Sequence, residues 1–157
     1  MKPGIIFITN IVLVFLFGSI QSFSLISFYG VKPDLLLSLL TVLMFSTKNF
    51  WQYLILVLTG IISLKYSGSI TRELAIFGII MLIAFYFKKY IAEYEFLSIF
   101  SATIILTTAL YVVIDCGFII NNFYYFILEL IYNVLAGIIF WLILDTAAKS
   151  NISSHKQ

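Results

Sequence analysis

Charged side chains are absent from Pro3 to Val31, and the few that follow fall almost entirely between apolar runs. The chain is a series of hydrophobic blocks joined by short polar links. The blocks lie near Gly4 to Tyr29, Pro33 to Thr47, Asn49 to Leu64, Glu73 to Phe87, Phe96 to Ile114 and Phe123 to Leu144. A helix rises about 1.5 Å per residue, so about 20 mostly apolar residues cross a hydrocarbon core about 30 Å thick. The first block meets that length alone. The pattern predicts an all-α polytopic membrane bundle of six transmembrane helices, a single domain over residues 1–148 followed by a polar cytoplasmic tail, 149–157. Blocks two to four are short for full spans. Their ends must snorkel lysines outward, run past these limits, or be shielded by neighbours. Fusing blocks two and three across Lys48-Asn49 would give one helix from Pro33 to Leu64, far longer than a bilayer needs.

Local signals sharpen some boundaries. Pro33 suits a first helical position, where its missing N–H costs nothing, and Asp34 faces the positive end of the helix dipole. Tyr66-Ser67-Gly68-Ser69 predicts a turn with Gly68 free to take positive φ, and Asn121-Asn122 precedes the last block. After Asp145 the chain reads as a frayed polar tail.

With six crossings, Lys2, Lys48, Lys88, Lys89, Lys149 and Lys156 fall on one side and Lys32, Lys65 and Arg72 on the other. The positive-inside bias places both termini in the cytoplasm. A fused second and third block would bury Lys48 in the membrane and invert everything downstream.

Composition narrows the function. The chain is 62% hydrophobic and 10% charged, against roughly 25% charged in an average soluble domain. Its net charge of +2 is scattered, which excludes a nucleic-acid footprint of clustered lysine and arginine. One cysteine, Cys116, and one histidine, His155, signal neither an intrachain disulfide nor a metal site, and no cofactor is expected. Lys2 followed by an apolar run is similar to a signal peptide. The run outlasts the usual h-region and lacks an A-x-A-like site, so it reads as a retained first helix.

Ionisable groups inside apolar blocks are costly and mark candidate sites. Glu129 stands about two turns into the sixth block, roughly 9 to 10 Å below its outer end. It would either face an internal cavity or serve as a structural, hydrogen-bonded glutamate. Asp34, Lys32, Lys65, Arg72, Glu73 and Asp115 all fall at outer helix ends in this topology. They form either a mixed-sign mouth that binds a partner or a set of interface anchors. Arg72, the only arginine, suits bidentate carboxylate recognition. Gly18 and Ser22 form a small-xxx-small step, and Ala136-Gly137 makes a thin patch, both suited to close helix packing in lipid. Gly60 belongs to the same packing set. Thr103 and Thr107 are expected to bond their own helix carbonyls. Aromatic clusters such as Tyr86, Phe87, Tyr90 and Tyr94 read as interfacial belts. No P-loop, GxSxG, HExxH or paired-acid motif is present, so no enzymatic apparatus is visible.

At the second block, Lys32-Pro33-Asp34-Leu35-Leu36-Leu37 opening a short helix after one long helix resembles the rod shape-determining MreD family. Gly60-Ile61-Ile62-Ser63-Leu64-Lys65-Tyr66-Ser67-Gly68-Ser69 is similar to the end of that family's third helix, and Ile114-Asp115 to the acidic end of its fifth. The resemblance covers most of the chain, chiefly in hydropathy and spacing. Leu64 departs from it, since the family often carries an aspartate there. The resemblance implies a fold similar to the substrate-binding components of energy-coupling-factor transporters. It also implies a non-enzymatic inner-membrane scaffold that binds MreC and, through it, MreB and the wall-synthesising enzymes. In that reading Pro33, Asp34, Arg72, Asp115 and Glu129 ring a partner pocket, while Gly18, Ser22, Gly60, Gly68 and Gly137 serve packing and turns. The alternative is a vitamin-binding transporter component, against which the first block lacks an A-x-x-x-A docking pattern.

Overall fold

A computed structural model describes residues 3–22, 30–64, 71–90 and 95–153. The elements are α1 (Pro3–Ser22), α2 (Leu35–Ser46), α3 (Phe50–Leu64), α4 (Arg72–Phe87), α5 (Glu95–Asn121) and α6 (Phe123–Ser153), with a 3₁₀ turn at Lys88–Tyr90 after α4. The six blocks are therefore six helices. Helices α1, α5 and α6 are long and apolar enough to cross a membrane. Helices α2 and α3, at 12 and 15 residues, cover only about 18 and 22 Å.

The fold is built around the shortest helix. Every residue of α2 from Leu36 to Met44 is buried, and α2 packs against α1, α3, α4, α5 and α6. A helix apolar on all sides has no face to offer water and is stable only when surrounded. Its break from α3 falls at Thr47-Lys48-Asn49, where the Thr47 N–H closes the last turn on Leu43 O and Asn49 Oδ1 accepts the Trp51 N–H at 3.0 Å. The two blocks separate at Lys48-Asn49 because local hydrogen bonds finish one helix and start the next.

The outer faces carry large apolar side chains, among them Ile8, Trp51, Ile79, Ile139 and Ile143, each more than half exposed. Soluble monomers rarely show contiguous apolar patches on this scale. With three helices long and apolar enough to span, this surface fits a membrane protein.

Close approach is set by missing side chains. A Cβ on Gly18 would overlap Ser63 Oγ of α3, so α1 rests directly on the Gly60–Ser63 turn. Gly60 in turn receives Leu36 of α2, whose Cδ2 would lie 3.0 Å from an added Cβ. Gly137 of α6 faces Thr103 of α5.

Three boundaries differ from the sequence reading. Asp34 is the N-cap of α2 and not a residue of its first turn, because as a cap its carboxylate accepts the Leu37 N–H at 2.8 Å, and Pro33 therefore precedes the cap while Leu35 takes the first helical position. The fifth helix does not stop at Ile114. Asp115 leaves helical geometry at φ −152° and ψ 78°, and the helix resumes to Asn121 after a kink that Asp115 Oδ1 caps through the Phe118 N–H at 3.0 Å. The sixth helix runs past Leu144 into the tail as far as Ser153. The turn at Gly68 lies outside the described residues, as does the side chain of Ser22.

Candidate functional site

The N-terminus of a helix leaves four backbone N–H groups unsatisfied, and inside a bundle water is not there to take them. At α2 its own N-cap and two neighbouring helices supply the partners. Asp34 Oδ1 accepts from Leu37 N and also from Gln21 Nε2 of α1 at 3.0 Å. The same Gln21 amide accepts the Leu36 N–H through Oε1 at 2.9 Å. Asn133 of α6 accepts the Asp34 N–H through Oδ1 at 2.6 Å. Its Nδ2 donates to Thr107 Oγ1 of α5 at 3.2 Å. Ser38 Oγ closes the junction by donating to the Asn133 carbonyl at 2.8 Å. Every buried side-chain N or O among the described residues has a partner. Helices α1, α2, α5 and α6 are thereby tied at one polar knot.

Above that knot opens a cavity of about 660 Å³. Its floor holds Gln21 and Asp34, and its walls hold Lys32, Pro33, Tyr111, Phe118, Tyr125 and Glu129. Glu129 accepts a hydrogen bond from the Tyr111 hydroxyl. Tyr111 stacks on Phe118 with centroids 5.1 Å apart and meets Phe126 edge-on at 5.5 Å. The site therefore presents two carboxyl groups and a carboxamide against aromatic faces, with the Lys32 ammonium at the rim. Such a surface recognises polar and charged groups by hydrogen bonding and by the negative faces of its rings.

Among the residues picked from sequence, Pro33, Asp34 and Glu129 share this cavity. Arg72 sits exposed at the start of α4, and Asp115 sits exposed at the α5 kink. Neither is among the residues that line the cavity. Asp34 turns its carboxylate to the backbone of its own helix, so its first duty is to hold α2. Thr103 bonds its own helix at Ile99 O, as expected, whereas Thr107 is drawn into the interhelical knot by Asn133. Gln21, Asn133 and Tyr111 were missed. For Gln21 and Asn133 the signal was present: a carboxamide inside a long apolar block must find partners across helices.

Lys88 is the other unanticipated residue. Its Nζ donates to Met44 O at 2.8 Å and Thr47 O at 2.6 Å, and lies 3.9 Å from the Phe85 ring centroid. An ammonium thus caps the C-terminus of α2 while a carboxylate caps its N-terminus. Both charges oppose the helix dipole, each at the favourable end. So short a helix thus ends inside the bundle with its Met44 and Thr47 carbonyls held by one ammonium.

Among the described residues no three His, Cys, Asp or Glu side chains gather as metal ligands would. No family model, curated protein or solved structure matches the chain. Fold and site together define a helical membrane protein with a buried central helix and a polar cavity at that helix's N-terminal end.

Proposed function

We propose that the chain is a six-span, non-enzymatic subunit of the bacterial inner membrane, with both termini cytoplasmic, that serves the cell-elongation complex as an MreD-like partner of MreC. The observation that carries this reading is the placement of Lys32-Pro33-Asp34, the run on which the family resemblance rests. It lines the cavity together with Glu129. In this reading the cavity takes a transmembrane or juxtamembrane segment of the partner, and MreB and the wall-synthesising enzymes are reached through that contact. The buried, doubly capped α2 supports six crossings, since a helix of 12 residues needs neighbours to shield its ends. A fold similar to transporter substrate-binding components is part of the same proposal.

Affinity purification of the tagged chain from its native cells in mild detergent tests it. Co-purification of MreC or a wall-synthesising enzyme is the expected outcome, with a marked loss in the Glu129→Ala variant. Undiminished recovery with Glu129→Ala would refute the cavity as the partner site. The cavity also favours a second reading. About 660 Å³ falls in the range of small-molecule pockets, about 300 to 1,000 Å³. Stabilisation by one member of a vitamin panel, or recovery of ATPases with a coupling subunit, would make the chain a transporter component instead.

A further inference from the structure

A second concave feature lies on the outer seam between α4 and α5. It runs from Ile80 to Phe87 on α4 and from Ala102 to Ala109 on α5, encloses about 270 Å³, and has apolar walls throughout. Ala84, Ala102 and Ala109 make the space, because longer side chains at those positions would fill it.

The length of the groove indicates its occupant. Seven residue steps on each helix span about 10 Å, and Lys89 stands one half-turn beyond Phe87. One leaflet of the hydrocarbon core is about 15 Å deep. A partner transmembrane helix would seek a seam of about 20 residues, about three times the length available, whereas most of an acyl chain of one leaflet fits it. At the open end the lining changes from apolar to cationic in three steps. Phe87 bounds the groove, its ring centroid is 6.2 Å from that of Tyr90, and Lys89 Nζ lies 4.8 Å above the Tyr90 ring. Lys89 and Tyr90 are both exposed. The adjacent Lys88 is already engaged by Met44 O and Thr47 O, which leaves Lys89 as the ammonium that faces outward here. An aromatic ring at the membrane interface followed by a lysine is the arrangement that meets the glycerol and phosphate of a lipid.

We propose that the α4–α5 groove is a binding site for an anionic phospholipid, with one acyl chain between Ala84, Ala102 and Ala109 and the headgroup phosphate on Lys89. The headgroup end of the site lies at the opposite end of α2 from the partner cavity. Lys88, next to Lys89, caps the C-terminal end of α2, while the cavity opens at the N-terminal end.

The test uses the full chain in mild detergent, titrated with phosphatidylglycerol or with phosphatidylcholine of the same acyl chains, and reads thermal stability and lipid retention by native mass spectrometry. Phosphatidylglycerol should bind about fivefold tighter, the preference that one lysine near an anionic surface supplies. Lys89→Gln should abolish the preference while leaving chain binding intact. Ala109→Leu, at a half-exposed position, should weaken retention of both lipids without lowering the melting temperature of the lipid-free protein. Equal binding of the two lipids by the unaltered chain would overturn the proposal, as would an undiminished preference in Lys89→Gln or full retention by Ala109→Leu.

Discussion

Replacing Gly18 by alanine separates helix propensity from tertiary contact, since the two act in opposite directions. On an unhindered helix the change would stabilise by about 1 kcal/mol, because alanine loses less backbone freedom than glycine. Here the new methyl would overlap Ser63 Oγ and stand 2.9 Å from Ser63 Cβ. Rotating the hydroxyl clears the first contact but not the second. Helices α1 and α3 must then move apart or Ser63 must shift, and such overpacking costs about 1 to 3 kcal/mol. Ser63 is held in place, buried and bonded to Gly60 O at 2.7 Å, so it yields poorly. The net expectation is destabilisation by about 1 to 2 kcal/mol, measured by reversible unfolding in mixed micelles. Replacing Ser63 by glycine as well removes both obstructing atoms and leaves Gly60 O as the nearest remaining neighbour at 3.6 Å, an ordinary contact. In that background the same Gly18→Ala change should become neutral or stabilising. A Gly18→Ala penalty of equal size with and without Ser63 would refute the claim that this contact sets the α1–α3 distance.

Other outcomes follow from the knot, the cap and the kink. Asn133→Ala should cost about 2 kcal/mol, since it strands the Asp34 N–H, and a double-mutant cycle with Thr107→Val should return a coupling of about 0.6 kcal/mol. Lys88→Met keeps the apolar stem but leaves the Met44 and Thr47 carbonyls open. It should destabilise by about 1.5 to 3 kcal/mol in detergent unfolding, with Lys88→Arg recovering most of that. Glu129→Gln still accepts the Tyr111 hydroxyl, so stability should change by less than about 0.5 kcal/mol while partner recovery in pull-downs falls. Asp115→Ala removes the cap of the short segment after the kink. It should increase hydrogen exchange at residues 116–121 by about fivefold, the equivalent of about 1 kcal/mol.

Hydropathy alone was enough to show the helical class, the six blocks and the break at Lys48-Asn49. Burial of apolar area needs only composition and period, and both are written along the chain. The charged helix ends were legible for the same reason. Asp34 was found because a proline followed by an acid marks a helix start, and Glu129 because a carboxylate is conspicuous in an apolar run. The partners of these groups were not legible. Gln21 and Asn133 lie 13 and 99 positions from Asp34, and no local pattern records which amide meets which backbone N–H. Lys88 was counted only among the charges of one side, and only the parallel run of α4 beside α2 brings its ammonium onto carbonyls more than forty residues away. Arg72 and Asp115 show the converse. Arg72 does stand at a helix start, whereas Asp115 marks a kink inside α5 and not its end, and neither lines the cavity. The sequence by itself determined which segments leave water, because transfer free energy is a sum over residues. Tertiary structure decided that the shortest segment sits at the centre with an acid at one end and an ammonium at the other, because satisfying a buried helix's termini depends on where the other helices pass.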